Sequence, residues 1–261
     1  MKVKYFYRFI IIVLLIVFTG SLRAQDFQGG TITYQQTTRY DFQSIFGKFN
    51  NPEADEWVAS LPKQHQSLKL LYFTKGKALF QQDPREMEIS SELLQQALQK
   101  ADYFKPPEAL LLQLYSDFTK NVAIRQVEFM TRHFLIFGPI EKKAWKLTNK
   151  MIKIQDYTCM GAELKQGDDL ITAYFASEIP VSAGPADYSG LPGLILAVEI
   201  NGETAFLATS IDLTPPDAGI VSQPDKGKKV TQDEFNKILE EKGKEWKETR
   251  SKGKGGNTMK K

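Results

Sequence analysis

At 261 residues the chain is long enough for one large domain or two small ones, and its 42% hydrophobic and 25% charged residues describe an ordinary globular protein. The formal charge of +3 averages three unlike regions: a basic first 24 residues with no acid, a stretch from Asp225 onward with 12 basic and 7 acidic residues, and an acidic body between them. An acidic body excludes a nucleic-acid binder of the usual kind, which works by neutralising phosphates.

The N-terminus reads as a leader. Lys2, Lys4 and Arg8 precede an unbroken apolar run from Phe9 to Phe18, too short to span a bilayer comfortably and of the length of a signal-peptide core. Ala24 offers a small residue before Gln25, so residues 1–24 are expected as a signal peptide and 25–216 as the mature domain. No cysteine follows the apolar run, so no lipid-anchored cysteine is expected. Export then makes the protein periplasmic, outer-membrane associated or secreted.

The first strand opens at Gly29-Gly30-Thr31-Ile32-Thr33-Tyr34, rich in β-branched and aromatic residues. Asn50-Asn51-Pro52 breaks the chain before a short helix from Glu53 to Ser60. Leu68 to Thr74 and Lys77 to Gln82 form a hairpin across Lys75-Gly76. Over about residues 84–119 the period changes. Leu94 and Leu98, with Leu93, Ala97 and Ala101, recur at helical spacing behind Ser90 as N-cap. After Pro106-Pro107, Leu110, Leu111, Leu114, Tyr115 and Phe118 predict a second helix, and the pair is expected to bury itself against a sheet. Strands resume at Val122–Met130, Arg132–Phe137, Ala144–Leu147, Met151–Cys159, Gly161–Lys165 and Leu170–Ala176, the last two flanking Gln166-Gly167-Asp168.

Leu191-Pro192-Gly193-Leu194 is expected as a type II turn, with proline pre-setting φ at the second position and Gly193 supplying the positive φ at the third. A strand follows to Ile200, Asn201-Gly202 signals a two-residue hairpin, and Glu203 to Leu213 returns. The simplest register sets Ala197 against Phe206, Leu196 against Leu207 and Ile195 against Ala208. Both faces then carry apolar side chains, so one packs a core while the other is covered or lines a cavity; Ile195, Ala197 and Phe206 are candidate ligand-facing residues. Thr214-Pro215-Pro216-Asp217 ends the domain. The lysine-rich segment 217–261 follows as a tail, with a capping box at Thr231-Gln232-Asp233-Glu234 starting one helix and Ser251–Lys261 expected disordered. Its lysines suit an anionic membrane surface or an acidic partner.

The fold class expected is therefore α+β, mainly β: a curved antiparallel sheet or partial barrel of nine or ten strands, one face covered by a two-helix insertion. That shape resembles the half-barrel of periplasmic lipoprotein carriers, in fold only.

The hexapeptide Gly190-Leu191-Pro192-Gly193-Leu194-Ile195 carries a further resemblance. With Gly184-Pro185 ahead of it, Ile179-Pro180 further back and Tyr157-x-Cys159-x-x-Ala162 before that, it resembles the GLPGLI family, named for this motif. The likeness covers about Gly29 to Leu213. Tyr174 departs from it, since related sequences often carry tryptophan ahead of the second aromatic, here Phe175. Members are secreted proteins of Bacteroidetes-type bacteria without an established biochemical role. The resemblance thus implies a compartment and a shape, but no reaction.

The residues assign no catalytic group, metal or cofactor. Cys159 is the sole cysteine, which rules out an intramolecular disulfide; it reads as a small buried hydrophobe or as a thiol paired between chains. His65 sits in a polar stretch and His133 in a strand. A Cys159–His133 nucleophile pair would need a base beside the thiol, and nothing near either residue resembles a nucleophile turn. Two histidines and one cysteine fall short of a zinc set. Asp168-Asp169 and Glu240-Glu241 read as solvated acids, and the motif's glycines match neither a dinucleotide nor a P-loop spacing. The expectation is a non-enzymatic envelope protein that binds an apolar ligand or a partner protein through its curved sheet. The alternatives are a secreted hydrolase and a purely structural envelope component.

Overall fold

The computed structural model describes residues 28–47, 51–84 and 91–255; the leader, Ser90 and the chain after 255 lie outside them. Twelve strands form one sheet: β1 (Gly29–Arg39), β2 (Gln64–Thr74), β3 (Lys77–Gln82), β4 (Leu110–Asp117), β5 (Val122–Phe129), β6 (Arg132–Gly138), β7 (Lys146–Ile154), β8 (Tyr157–Gln166), β9 (Asp169–Ala176), β10 (Leu194–Ile200), β11 (Glu203–Asp212) and β12 (Lys228–Thr231). Their order is β12-β6-β5-β4-β3-β2-β1-β11-β10-β9-β8-β7, open at β12 and β7. Every pairing is antiparallel except β12 on β6.

The class is mainly β, which corrects the α+β expectation, and the two-helix insertion is not what forms. Leu110–Asp117 is strand β4, paired with both β3 and β5. Its run of apolar residues fits helical spacing, but Leu114 packs into the main core while Tyr115 joins a smaller one on the opposite face. A strand buried on both faces has no alternation to read, so periodicity could not separate it from a helix.

Curvature follows from bulges, where the register shifts between β1 and β11, β4 and β5, β9 and β10, β10 and β11, and β7 and β8. Phe80 of β3 and Phe206 of β11 measure the bend. On a flat sheet three strand spacings would hold them about 14 Å apart, yet their ring centroids lie 6.1 Å apart. The inner face so formed holds the main core, from Ile32 and Tyr34 on β1 through Leu71, Phe73 and Phe80 to Ala173, Phe175 and Ala208. Leu79, Tyr115, Ile124 and Leu135 make a smaller cluster on the outer face.

The chain beyond Asp217 is part of this body. It crosses the outer face, where Val221 packs on that smaller cluster and the Lys226 carbonyl accepts from Gln126 Nε2 at 2.7 Å. It then lays β12 alongside β6. Helix α4 (Gln232–Gly255) starts at a reciprocal capping box: Glu234 N donates to Thr231 Oγ1 at 3.2 Å, and Thr231 N to Glu234 Oε2 at 2.7 Å. Those bonds to the carboxylate hold the Glu234 pKa below the usual range. Phe235 and Val230 bury against Val127, Phe129, Phe134 and Ile136.

Three further helices, α1 (Phe42–Phe46), α2 (Pro52–Ser60) and α3 (Glu92–Phe104), gather beside the sheet. Instead of covering a sheet face they bury Phe42, Phe46, Val58, Leu94, Ala97 and Ala101 among themselves. The N-cap of α3 is Ser91, which accepts from Leu94 N. Arg250 of α4 ties them to the body, donating to the Tyr103 carbonyl at 2.6 Å and lying over the rings of Tyr103, Phe104 and Trp246.

Candidate functional site

The inner face is where a curved sheet could hold a ligand, and its own chain fills it. The segment 177–193, between β9 and β10, folds inward and buries Ile179, Val181, Ala183 and Leu191 in the main core. Backbone bonds fasten it: Leu194 N to Ile179 O at 3.0 Å, Ile195 N to Ala183 O at 3.0 Å and Gly190 N to Ser182 O at 3.1 Å. Gly184 is needed for contact, because a Cβ there would lie 2.5 Å from the Tyr188 carbonyl oxygen and 2.8 Å from Ile195 Cβ. Pro185 O accepts from Tyr188 N at 3.1 Å, closing a tight turn.

The hexapeptide departs from the turn read from the sequence. The positive φ, 93°, belongs to Gly190 and not to Gly193, so Leu191–Leu194 is not a type II turn. Gly193 is required for a different reason: a Cβ would fall 2.4 Å from the Ala176 carbonyl oxygen and 2.9 Å from Ser177 Cα. Leu191, Leu194 and Ile195 are buried and Pro192 is exposed.

The hairpin turn at Asn201-Gly202 has positive φ at both residues, 53° and 81°, which is the type I′ signature. The strands beyond it are one residue out of the simplest register. Val198 faces Phe206 and Ala197 faces Leu207, because β11 carries an extra residue opposite Val198/Glu199. A second irregularity sits at Leu196, between the pairs Ile195–Phe175 and Ala197–Tyr174. There Tyr34 Oη, fully buried, donates to the Ile195 carbonyl at 2.5 Å. Burial, and next the Cys159 charge, hold the Tyr34 pKa well above its ordinary value.

The candidate ligand-facing residues Ile195, Ala197 and Phe206 are all buried in the core. Phe206 is sealed by edge-on contacts with Phe80 and Tyr188. The space left between the segment's tip and the sheet, beside Phe80, Leu114, Ser116 and Arg125, is about 20 Å³, the scale of one water.

A strap from Pro139 to Trp145, linking β6 to β7 across the inner side, holds the filling segment. Trp145 Nε1 donates to the Ser189 carbonyl at 2.9 Å. Lys143 Nζ donates to Asp187 at 3.0 Å and Glu141 at 3.3 Å, and stands 5.7 Å from the Tyr188 ring centre. The Lys143 side chain is only 2% exposed, against 36% for Asp187. Burial first, then Asp187 and Asp169, push Tyr188 up to about 12. Sequence reasoning missed Lys143, Trp145 and Asp187; their one visible signal was a tryptophan in the charged stretch Glu141–Lys146.

Cys159 and His133 are not brought together. Cys159 is fully buried on β8 and its thiol is pushed up to about 11, chiefly by burial. His133 lies exposed on β6, 3.4 Å from Glu128. Among the described residues there is no group of three or more His, Cys, Asp or Glu side chains placed to hold a metal, and no helix long and apolar enough to cross a membrane.

Geometry therefore defines a class: a mainly β, open curved-sheet domain whose concavity is filled by its own motif segment. Residues 163–197, which include the hexapeptide, match the profile of a family described as "Protein of unknown function (Porph_ging)". Among solved structures the fold is similar to PNGF-II. In its P21 crystal form the TM-score is 0.53 at 16% identity, covering 82% of this chain and 34% of that one. In its C2 form the TM-score is again 0.53, at 15% identity, covering 82% and 33%. This chain thus spans about a third of PNGF-II, and the likeness is one of fold. A sequence comparison with curated proteins found no match.

Proposed function

We propose that this is an exported, non-enzymatic protein of the bacterial cell envelope, of the GLPGLI type, that acts by binding a ligand or partner on the outside of its curved sheet. The filled inner face carries the reading. Ile195, Ala197 and Phe206 are buried in the core and the cavity beside Phe80 and Arg125 holds only about 20 Å³, too little for an apolar ligand, whereas open grooves outside measure 500–850 Å³, the range of ligand sites. The separation of Cys159 from His133 weighs against a thiol hydrolase, since the thiol lacks a base. The matched stretch over the hexapeptide and the leader-like residues 1–24 support the family and the export. Lys242, Lys244 and Lys247 on α4 add attraction towards an acidic surface.

The test is native mass spectrometry of the full-length gene product isolated from the envelope without detergent. A chain starting at Gln25 and carrying a stoichiometric adduct is the expected result. A chain without adduct that turns over ester, glycoside or peptide substrates would overturn it.

A further inference from the structure

One outer groove, about 850 Å³, lies where residues 219–226 pass over the outer face of β2 to β6. Leu71, Phe73, Ala78 and Phe80 face the inner core, so the alternation of side chains turns Tyr72 and Gln81 outward. Gln81 pairs with Gln113 across β3 and β4, and Gln113 with Gln126 across β4 and β5. The floor is thus a row of three glutamines on adjacent strands, about 4.8 Å apart, with Tyr72 on the neighbouring strand.

This row is fixed yet only partly satisfied. Gln113 Nε2 donates to Gln81 Oε1 at 2.8 Å, and Gln126 Nε2 to the Lys226 carbonyl at 2.7 Å. Gln126 is buried, while Gln81 and Gln113 are half-buried, so the amides of Gln81 and Gln113 are the ones a ligand in the groove can reach. An amide offers both donors and acceptors. The charged lining residues, Asp225 and Lys226, are of opposite sign, with His133 at the edge.

We propose that this groove binds a neutral oligosaccharide, the amides of Gln81 and Gln113 exchanging hydrogen bonds with its hydroxyls and Tyr72 offering a flat apolar face to its ring carbons. This rests on the reading of the protein as a binding protein and names its ligand class. Acyl chains would bury the amides without partners, at a cost, and an anion would lack a cluster of arginine or lysine. An extended peptide would find the face of a sheet and not the free edge that strand addition requires.

The experiment is calorimetric titration of the full-length product with neutral hexasaccharides of glucose (α- and β-linked), mannose, xylose and N-acetylglucosamine, at low and high salt. The expected result is salt-independent binding of at least one. Tyr72→Ala and Gln113→Leu should each weaken it about tenfold with an unchanged melting temperature. Should a variant fail to fold, crosslinking a photoreactive form of the bound sugar to the wild type maps the site instead, and labelling away from Tyr72 and Gln113 would overturn the proposal. So would binding that survives both substitutions, binding lost at high salt, or peptide binding at these residues. Failure of every sugar with an adduct of another class present overturns the sugar assignment alone; failure with no adduct overturns the binding reading as well.

Discussion

Gly193→Ala tests the close approach that fixes the hexapeptide against β9. The added Cβ would lie 2.4 Å from Ala176 O and 2.7 Å from Ala176 C, both backbone atoms. Ordinary contact lies at about 3.5 Å, so the two backbones must part by about 1 Å. They cannot do so freely, because Leu194 pairs with Ala176 and its N–H is bonded to Ile179 O. Overpacking of this kind costs about 1–3 kcal/mol, which lowers the melting temperature of a domain this size by roughly 2–12 °C. The companion Gly190→Ala separates space from strain: Gly190 has φ 93° and nothing within 4 Å. Asparagine, which tolerates positive φ, should be milder than alanine at Gly190 but no milder at Gly193. Pro192→Ala, at an exposed site, should stay within about 1 kcal/mol. Thermal and urea unfolding of the set decides. A Gly193→Ala protein as stable as wild type would refute the close-approach argument, and rescue by Gly193→Asn would return it to backbone strain.

Tyr34→Phe strands the Ile195 carbonyl and should cost about 1–3 kcal/mol by urea unfolding. Because burial raises the folded Tyr34 pKa above its ordinary value of 10.0, its contribution is complete below pH 10 and falls above it by about 1.4 kcal/mol per pH unit. The wild type and Tyr34→Phe should therefore converge in stability between pH 10 and 11; parallel curves would contradict this. At the strap, Asp187→Asn leaves the 2%-exposed Lys143 with only the largely exposed Glu141 and should cost about 1–3 kcal/mol. Lys143→Met leaves a carboxylate that water still reaches and should cost less; the reverse order in melting temperature would be wrong for this geometry. Phe235→Ala should lose about 3–5 kcal/mol in denaturant, because Phe235 is buried against Phe129 and Phe134. A change under about 1 kcal/mol would mean that α4 does not dock.

What the sequence determined by itself was local. Asn201-Gly202 takes two positive φ values whatever surrounds it, since those residues bear them at least cost. Gly167, at φ 62°, turns its hairpin on the same grounds, and Thr231 and Glu234 cap α4 through atoms three residues apart. Tertiary structure decided what depends on partners distant in the chain. Leu110–Asp117 became a strand because β3 and β5 offer it two ladders and two apolar faces. One extra residue in β11 moved the pairing of Val198 to Phe206, an offset no two-residue turn announces. Val230 and Phe235 lie in the segment read as a lysine-rich tail, yet a free β6 edge and the Phe129–Phe134 surface receive them. Gly193, read as the donor of a positive φ, serves instead to let Ala176 approach, because the neighbour that needs its missing Cβ lies on another strand.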